Sequence, residues 1–198
     1  MRIILASNSP RRRELLAALE LDFEVRVQEG IDETYPEGLT MTGIPEHISS
    51  RKAAAYNLSD DELLIAADTI VYLGSEVLGK PANTKDACRM LRKLSGKTHH
   101  VITGVTLRTN SRTHTFSCVT EVTFAELTEQ QIKHYVETYS PLDKAGAYGI
   151  QEWIGYVGVT RINGSFYNVM GLPVQRLSQE LSSFLSSSNN SFVDNLIY

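Results

Sequence analysis

Three groupings in this chain have the residue types and spacing that chemistry needs. In "RIILASNSPRRRELLAAL", Arg11, Arg12 and Arg13 follow Ser7, Ser9 and Pro10, where a short apolar strand hands over to a helical pattern. A helix N-terminus exposes unpaired N–H groups and the positive end of the dipole, so it attracts anions. Ser7 and Ser9 add hydroxyl donors, and Pro10 presets the backbone of a first helical turn. Arginines there oppose the dipole, at ~0.3–1 kcal/mol each. A solvated basic turn is the plain alternative, but strand, hydroxyl loop, proline, arginines and helix together describe a polyphosphate cradle.

The second grouping centres on Asp68 in "IAADTIVYL", a carboxylate inside an otherwise continuous apolar run. An isolated core carboxylate costs several kcal/mol unless it is paired or faces a cleft. It is either satisfied by structural hydrogen bonds, or it acts as a general base or a ligand for a hard divalent cation. Asp32 and Glu33 in "IDETYP" offer further carboxylates in what reads as a solvated acidic loop. The third grouping is cationic: Lys52 after Arg51, Lys80 between Gly79 and Pro81, and Lys144 in "DKAGAYGIQ". Each alone reads as a surface lysine; Lys80 stands out because glycine and proline define a turn around it. His99 and His100 are strand neighbours that point to opposite faces, so they do not share a metal.

The elements that must position these residues follow from apolar spacing. Strands are expected at Arg2–Ala6, 23–29, 62–74, 99–109 and 112–126, the last two as a pair joined by a loop. Helices are expected at Arg12–Leu19, Ile44–Tyr56, from a Thr84 cap to Leu94, from Thr128 through "TEQQIKHYVET", and over "VQRLSQELSSFL". "VLGKPANT" reads as a turn; "WIGYVGVTRING" and "GSFYNVMGLP" bracket a further strand and a loop. Alternating helices and strands of both isolated and hairpin type indicate an α/β fold with a mixed sheet.

Composition narrows the class. The 198 residues are 42% hydrophobic and 21% charged, enough for one sizeable α/β domain or two small lobes. The formal charge of −4 argues against a general nucleic-acid binder, which carries a basic footprint. Cys88 and Cys118 have neither metal nor redox spacing and read as small buried apolar residues. No apolar run approaches the ~20 residues of a membrane span, and the N-terminal run is too short for a signal peptide. A cytoplasmic protein without membrane or stable nucleic-acid partners is expected.

These residues carry a resemblance. "LASNSPRRREL", "DE" at 32–33, "RKA" at 51–53, "AADTIV", "LGKP", "LSGKTHHVITGV", "DKAGAYGIQ" and "GSFYNVMGLP" occur in the order seen in the Maf family of nucleoside triphosphate pyrophosphatases, also described as septum-formation-inhibitor-like proteins. The chain resembles that family over about residues 2–185, with 186–198 left as a polar tail. The resemblance implies an ITPase-like α/β fold: a mixed, twisted central sheet flanked by helices, as two lobes of one domain with an active cleft between them. It implies hydrolysis of a nucleoside triphosphate to the monophosphate and pyrophosphate with a divalent metal, magnesium or manganese.

By the same resemblance Asp68 is the general base, and Ser7, Arg11, Arg12, Lys52 and Lys80 bind phosphate. Glu33 joins Asp68 at the metal, and Arg11, Thr69 and Gln151 occupy positions tied to base selection. The "DKAGAYGIQ" segment resembles the branch acting on dTTP and UTP. The competing readings are a purine-directed pyrophosphatase, the sister branch acting on 7-methyl-GTP or CTP, and a non-enzymatic cell-division regulator. A homodimer is left open. The chain departs from the family pattern at Arg13, which extends the usual arginine pair, and at "QEWIGY", where Trp153 either shapes the base pocket or packs the lobe.

Overall fold

Strands and helices alternate along the chain, and the strands join in one seven-stranded mixed sheet. The structure, a computed structural model, describes residues 1–186. β1 (Arg2–Leu5) lies between β2 (Phe23–Val25) and β3 (Glu62–Leu73) and runs parallel to both. β4 (Glu76–Leu78) returns antiparallel on β3. β5 (Thr98–Arg108), β6 (Thr113–Phe124) and β7 (Val159–Asn163) complete the sheet in the order β2-β1-β3-β5-β6-β7, with β7 antiparallel to β6. The helices are α1 (Pro10–Ala17), α2 (Gly43–Ala54), α3 (Thr84–Leu94), α4 (Glu129–Tyr139), α5 (Trp153–Gly158), α6 (Phe166–Met170) and α7 (Val174–Ser186).

The chain divides into two compact units. The first holds Met1–Asp68, Thr103–Cys118 and the described residues from Gly171 on; the second holds Thr69–Ile102 and Val119–Met170. Within the first, Ile4, Leu64 and Ala66 of the sheet pack with Ala53 of α2 and with Tyr56 just after that helix. Within the second, Leu78 and Val71 cluster with Met90, Leu91 and Leu94 of α3, Ile132, Tyr135 and Val136 of α4, and Ile154 of α5. The buried leucine, isoleucine, valine and methionine side chains among these stabilise their unit by about 1.5–3 kcal/mol each. No helix among the described residues is long and apolar enough to cross a membrane.

Several boundaries differ from the sequence expectation, each for a local reason. The helix expected from Arg12 starts at Pro10, because Ser9 is its N-cap and accepts from the Arg12 N–H. Asn83, not Thr84, caps α3, its Oδ1 accepting from the Asp86 N–H at 3.0 Å. β2 stops at Val25 because β1 ends at Leu5, whose carbonyl takes a last bond from the Arg26 N–H at 3.1 Å. The segment 166–170 is helical, not loop: Ser165 Oγ accepts from the Asn168 N–H. Cys88 and Cys118 are free and half-exposed instead of fully buried. The tail expected from 186 lies outside the described residues, apart from Ser186, which ends α7.

Candidate active-site residues

In the first unit, the short loop from β1 into α1 turns one arginine inward. Ser7 is buried, and its Oγ accepts from the Ser9 N–H at 3.2 Å. Arg12 Nε donates to the carbonyl of Gly171 at 2.8 Å, and Nη1 donates to the carbonyl of Ala67 at 2.9 Å, with Ser7 Oγ at 3.5 Å. Loss of solvent lowers the guanidinium's pKa, opposed by the negative charge of Asp68 and reinforced by the positive charge of Arg11. Arg11 is half-buried in the same turn. Arg13 is exposed, and its Nη2 donates a long 3.3 Å bond to Asn8 Oδ1. The inward arginine therefore touches the backbone just before Asp68.

Asp68 ends the fully buried run of β3, from Glu62 to Ala67, and its side chain is 13% exposed. Its partner is Lys52, in the last turn of α2, with Nζ at 2.8 Å from Oδ1. The same Nζ lies 3.0 Å from Glu33 Oε1, in the loop after Ile31, so one ammonium gathers two carboxylates. Neighbouring Asp32 is turned to other work: it accepts from the Thr34 N–H and hydroxyl and pairs with Arg51 at 2.9 Å. Those bonds, the backbone one first, hold its carboxyl below the usual value. Among the described residues, no group of three or more His, Cys, Asp or Glu side chains is arranged to hold a metal ion. Two hard oxygen donors do suit magnesium or manganese, which commonly takes one or two carboxylates and completes its sphere with water and substrate phosphate. Ser7, Arg11, Arg12, Glu33, Lys52 and Asp68 thus belong to one unit.

Thr69, Lys80 and Gln151 fall in the second unit. There the carbonyl of Gly79, next to exposed Lys80, accepts from the Gly146 N–H at 3.0 Å, which ties the "LGKP" turn to the "DKAGAYGIQ" segment. Gly146 has φ +70°, and a Cβ there would sit 2.8 Å from Val71 Cγ2, so only glycine fits this contact. Gln151 Oε1 is buried and has no hydrogen-bond partner. Around it the chain folds tightly, with Glu152 N–H on the Gly149 carbonyl at 3.0 Å and Gly155 N–H on the Glu152 carbonyl at 2.8 Å.

Residue-type reasoning missed a network beside that turn. Lys144, expected at the surface, is buried, with Nζ 2.8 Å from Asp143 Oδ1 and 3.1 Å from Glu152 Oε1. The Tyr135 hydroxyl donates to Glu152 Oε2 and accepts from the Gly149 N–H at 2.9 Å. Burial first, then that carboxylate, pushes the phenol far above its usual value. The carboxylate following Gln151 in "QEWIGY" was the available signal. Trp153 packs against the core cluster and meets the His134 ring edge-on at 4.9 Å. Buried His99 pairs with the Tyr148 hydroxyl and half-exposed His100 lies near Glu121, so the two do point apart.

Residues 2–184 match the family described as Maf-like protein. A dTTP/UTP pyrophosphatase of Phocaeicola vulgatus is 59% identical over 182 residues, 91% of this chain and 94% of that one. One from Porphyromonas gingivalis, also called dTTP/UTP pyrophosphatase, is 49% identical over 191 residues, 94% and 96% of the two chains. The fold is shared with a HAM1 protein from Coxiella burnetii, at a TM-score of 0.53 and 17% identity, covering 92% of this chain and 99% of that one.

Proposed function

The chain belongs to the Maf-like protein family, and from that premise we propose that it hydrolyses dTTP and UTP to the nucleoside monophosphate and pyrophosphate. The observation that carries this reading is the single ammonium of Lys52 gathering Asp68 and Glu33 in the unit that also holds the Arg12 turn. The names borne by the two relatives supply the substrate class.

In the proposed reaction Asp68 takes a proton from water, whose oxygen attacks the α-phosphorus. The bond to the bridging oxygen breaks, and pyrophosphate leaves with the electron pair. Negative charge grows on that leaving group, so fixed cations stabilise the transition state more than the ground state. Arg11, Arg12, Lys52 and Lys80 are the proposed cations, with Ser7 as a hydroxyl donor. Lysine and arginine differ here: a guanidinium can meet phosphate oxygens with two parallel bonds, an ammonium cannot. Magnesium or manganese, held by Glu33 and Asp68, would supply further positive charge and orient the phosphates. Arg11, Thr69 and Gln151 are proposed for base selection. Gln151 offers one acceptor and one donor, the complement of the N3–H and O4 edge of thymine and uracil. We place the activity in the cytoplasm, where such triphosphates are made and used.

Pyrophosphate release from dTTP, UTP, CTP, GTP, ITP and 7-methyl-GTP, with either metal, tests the reading. The expected result is a kcat/KM for dTTP and UTP about ten- to a hundredfold above that for CTP, because a mismatched base leaves buried polar groups unpaired. Equal hydrolysis of CTP and UTP, or a preference for ITP or 7-methyl-GTP, would overturn it.

A further inference from the structure

An amide that reads a base must be held, because a free glutamine can turn over and present its acceptor where its donor was. The second unit contains a device suited to holding it. Gly149 and Gly155 flank the turn that carries Gln151, and both are tight. A Cβ on Gly155 would lie 1.8 Å from the carbonyl oxygen of Ile150, and one on Gly149 would lie 2.7 Å from the Glu152 carboxyl carbon. Glu152 occupies the N-cap position of α5, yet its side chain makes no capping bond there. The carboxylate instead folds back over Gly149. Its two oxygens meet Lys144 at 3.1 Å and the Tyr135 hydroxyl, and that hydroxyl in turn accepts from the Gly149 N–H.

Tyr135 is fully buried in the middle of α4, so the clamp is anchored in the core and not in a loop. Lys144 supplies the charge that lets a carboxylate stay in such a place. We propose that Glu152, held by Tyr135 and Lys144, is the positioning residue that fixes the Gly149–Gly155 turn and with it the Gln151 amide. This rests on the proposal that Gln151 reads the base. Its consequence is specific: the clamp sets discrimination between bases, beyond any part it has in keeping the unit folded. The buried, unpartnered Oε1 of Gln151 is the group whose placement the clamp decides.

The experiment compares UTP and CTP hydrolysis by wild type, Glu152→Gln and Tyr135→Phe, with Glu152→Asp as the conservative control. Glu152→Gln places an amide against the Lys144 ammonium; Tyr135→Phe removes the link to Gly149 and leaves the Lys144–Glu152 pair. Small displacements of a positioned group cost up to about a hundredfold. The ratio of UTP to CTP kcat/KM is therefore expected to fall about ten- to a hundredfold in both variants, mostly through the KM for UTP. Glu152→Asp should restore part of the ratio. Hydrogen exchange of the 149–155 segment should quicken in Tyr135→Phe, which reads the clamp without reference to activity. If the variants keep the wild-type ratio while both rates fall together, the positioning role is wrong and the base-reading proposal stands. If wild type itself does not prefer UTP to CTP, the base-reading proposal fails and takes this one with it.

Discussion

Replacing Arg12 by alanine should damage stability as well as catalysis, which separates this arginine from an ordinary phosphate ligand. Two charged N–H donors, 2.8 Å from the Gly171 carbonyl and 2.9 Å from the Ala67 carbonyl, disappear together. Hydrogen bonds to charged groups are worth about 1.5–3 kcal/mol each. The residue is half-buried, so water can reach part of the gap, and the lower end applies: ~3 kcal/mol for the pair. For a chain of this length each kcal/mol lowers Tm by about 2–4 °C, so the expected drop is about 6–12 °C. Thermal melts by circular dichroism or calorimetry read it directly. Arg12→Lys should regain less than half, since one ammonium cannot present the two coplanar donors of the guanidinium. The same substitutions should raise KM or lower kcat for UTP. A kinetic defect with Tm within about 2 °C of wild type would refute the stabilising role of these two bonds.

Other outcomes follow from the same geometry. Asp68→Asn should lower turnover about 10²–10⁴-fold, the range for loss of a general base, and near-normal turnover in the folded variant would remove Asp68 from the reaction. Glu62 is buried between Arg26 at 2.8 Å and Arg2 at 3.2 Å, and its carboxyl is held down from 4.5 to about 2 by Arg26 first and then the Ser59 N–H. The unfolded chain therefore takes up that proton first as the pH falls. The stabilisation is present above pH 4.5 and is lost on the way down to about pH 2. The Tm advantage of wild type over Glu62→Gln should be full at neutral pH and shrink across that window; a constant advantage would contradict the linkage.

What could be read in the sequence was local. Ser9, Pro10 and the leucines of α1 announced a helix start, and Asp68 announced itself by standing in an apolar strand. Lys52 and Asp68 lie 16 positions apart, and only the packing of α2 beside β3 in one unit makes them a pair. The two shortest bonds of Arg12 named above go to backbone carbonyls, one of them 159 positions away, and such groups leave no mark in residue types. Lys144 misled because lysines are almost always solvated. Its buried ammonium is paired with Asp143 and with Glu152, and the second partner lies eight positions on, in the "QEWIGY" hexapeptide. Asn83 and Thr84 are both good capping residues, and adjacency left the choice to backbone geometry.

The most direct test of the central claim is a single turnover of UTP with magnesium in water labelled with ¹⁸O. Attack on the α-phosphorus assisted by Asp68 puts the label into UMP and leaves pyrophosphate unlabelled, and Asp68→Asn should show the same label pattern at a far lower rate. Label in orthophosphate with UDP as the other product, or label in pyrophosphate, would contradict the account.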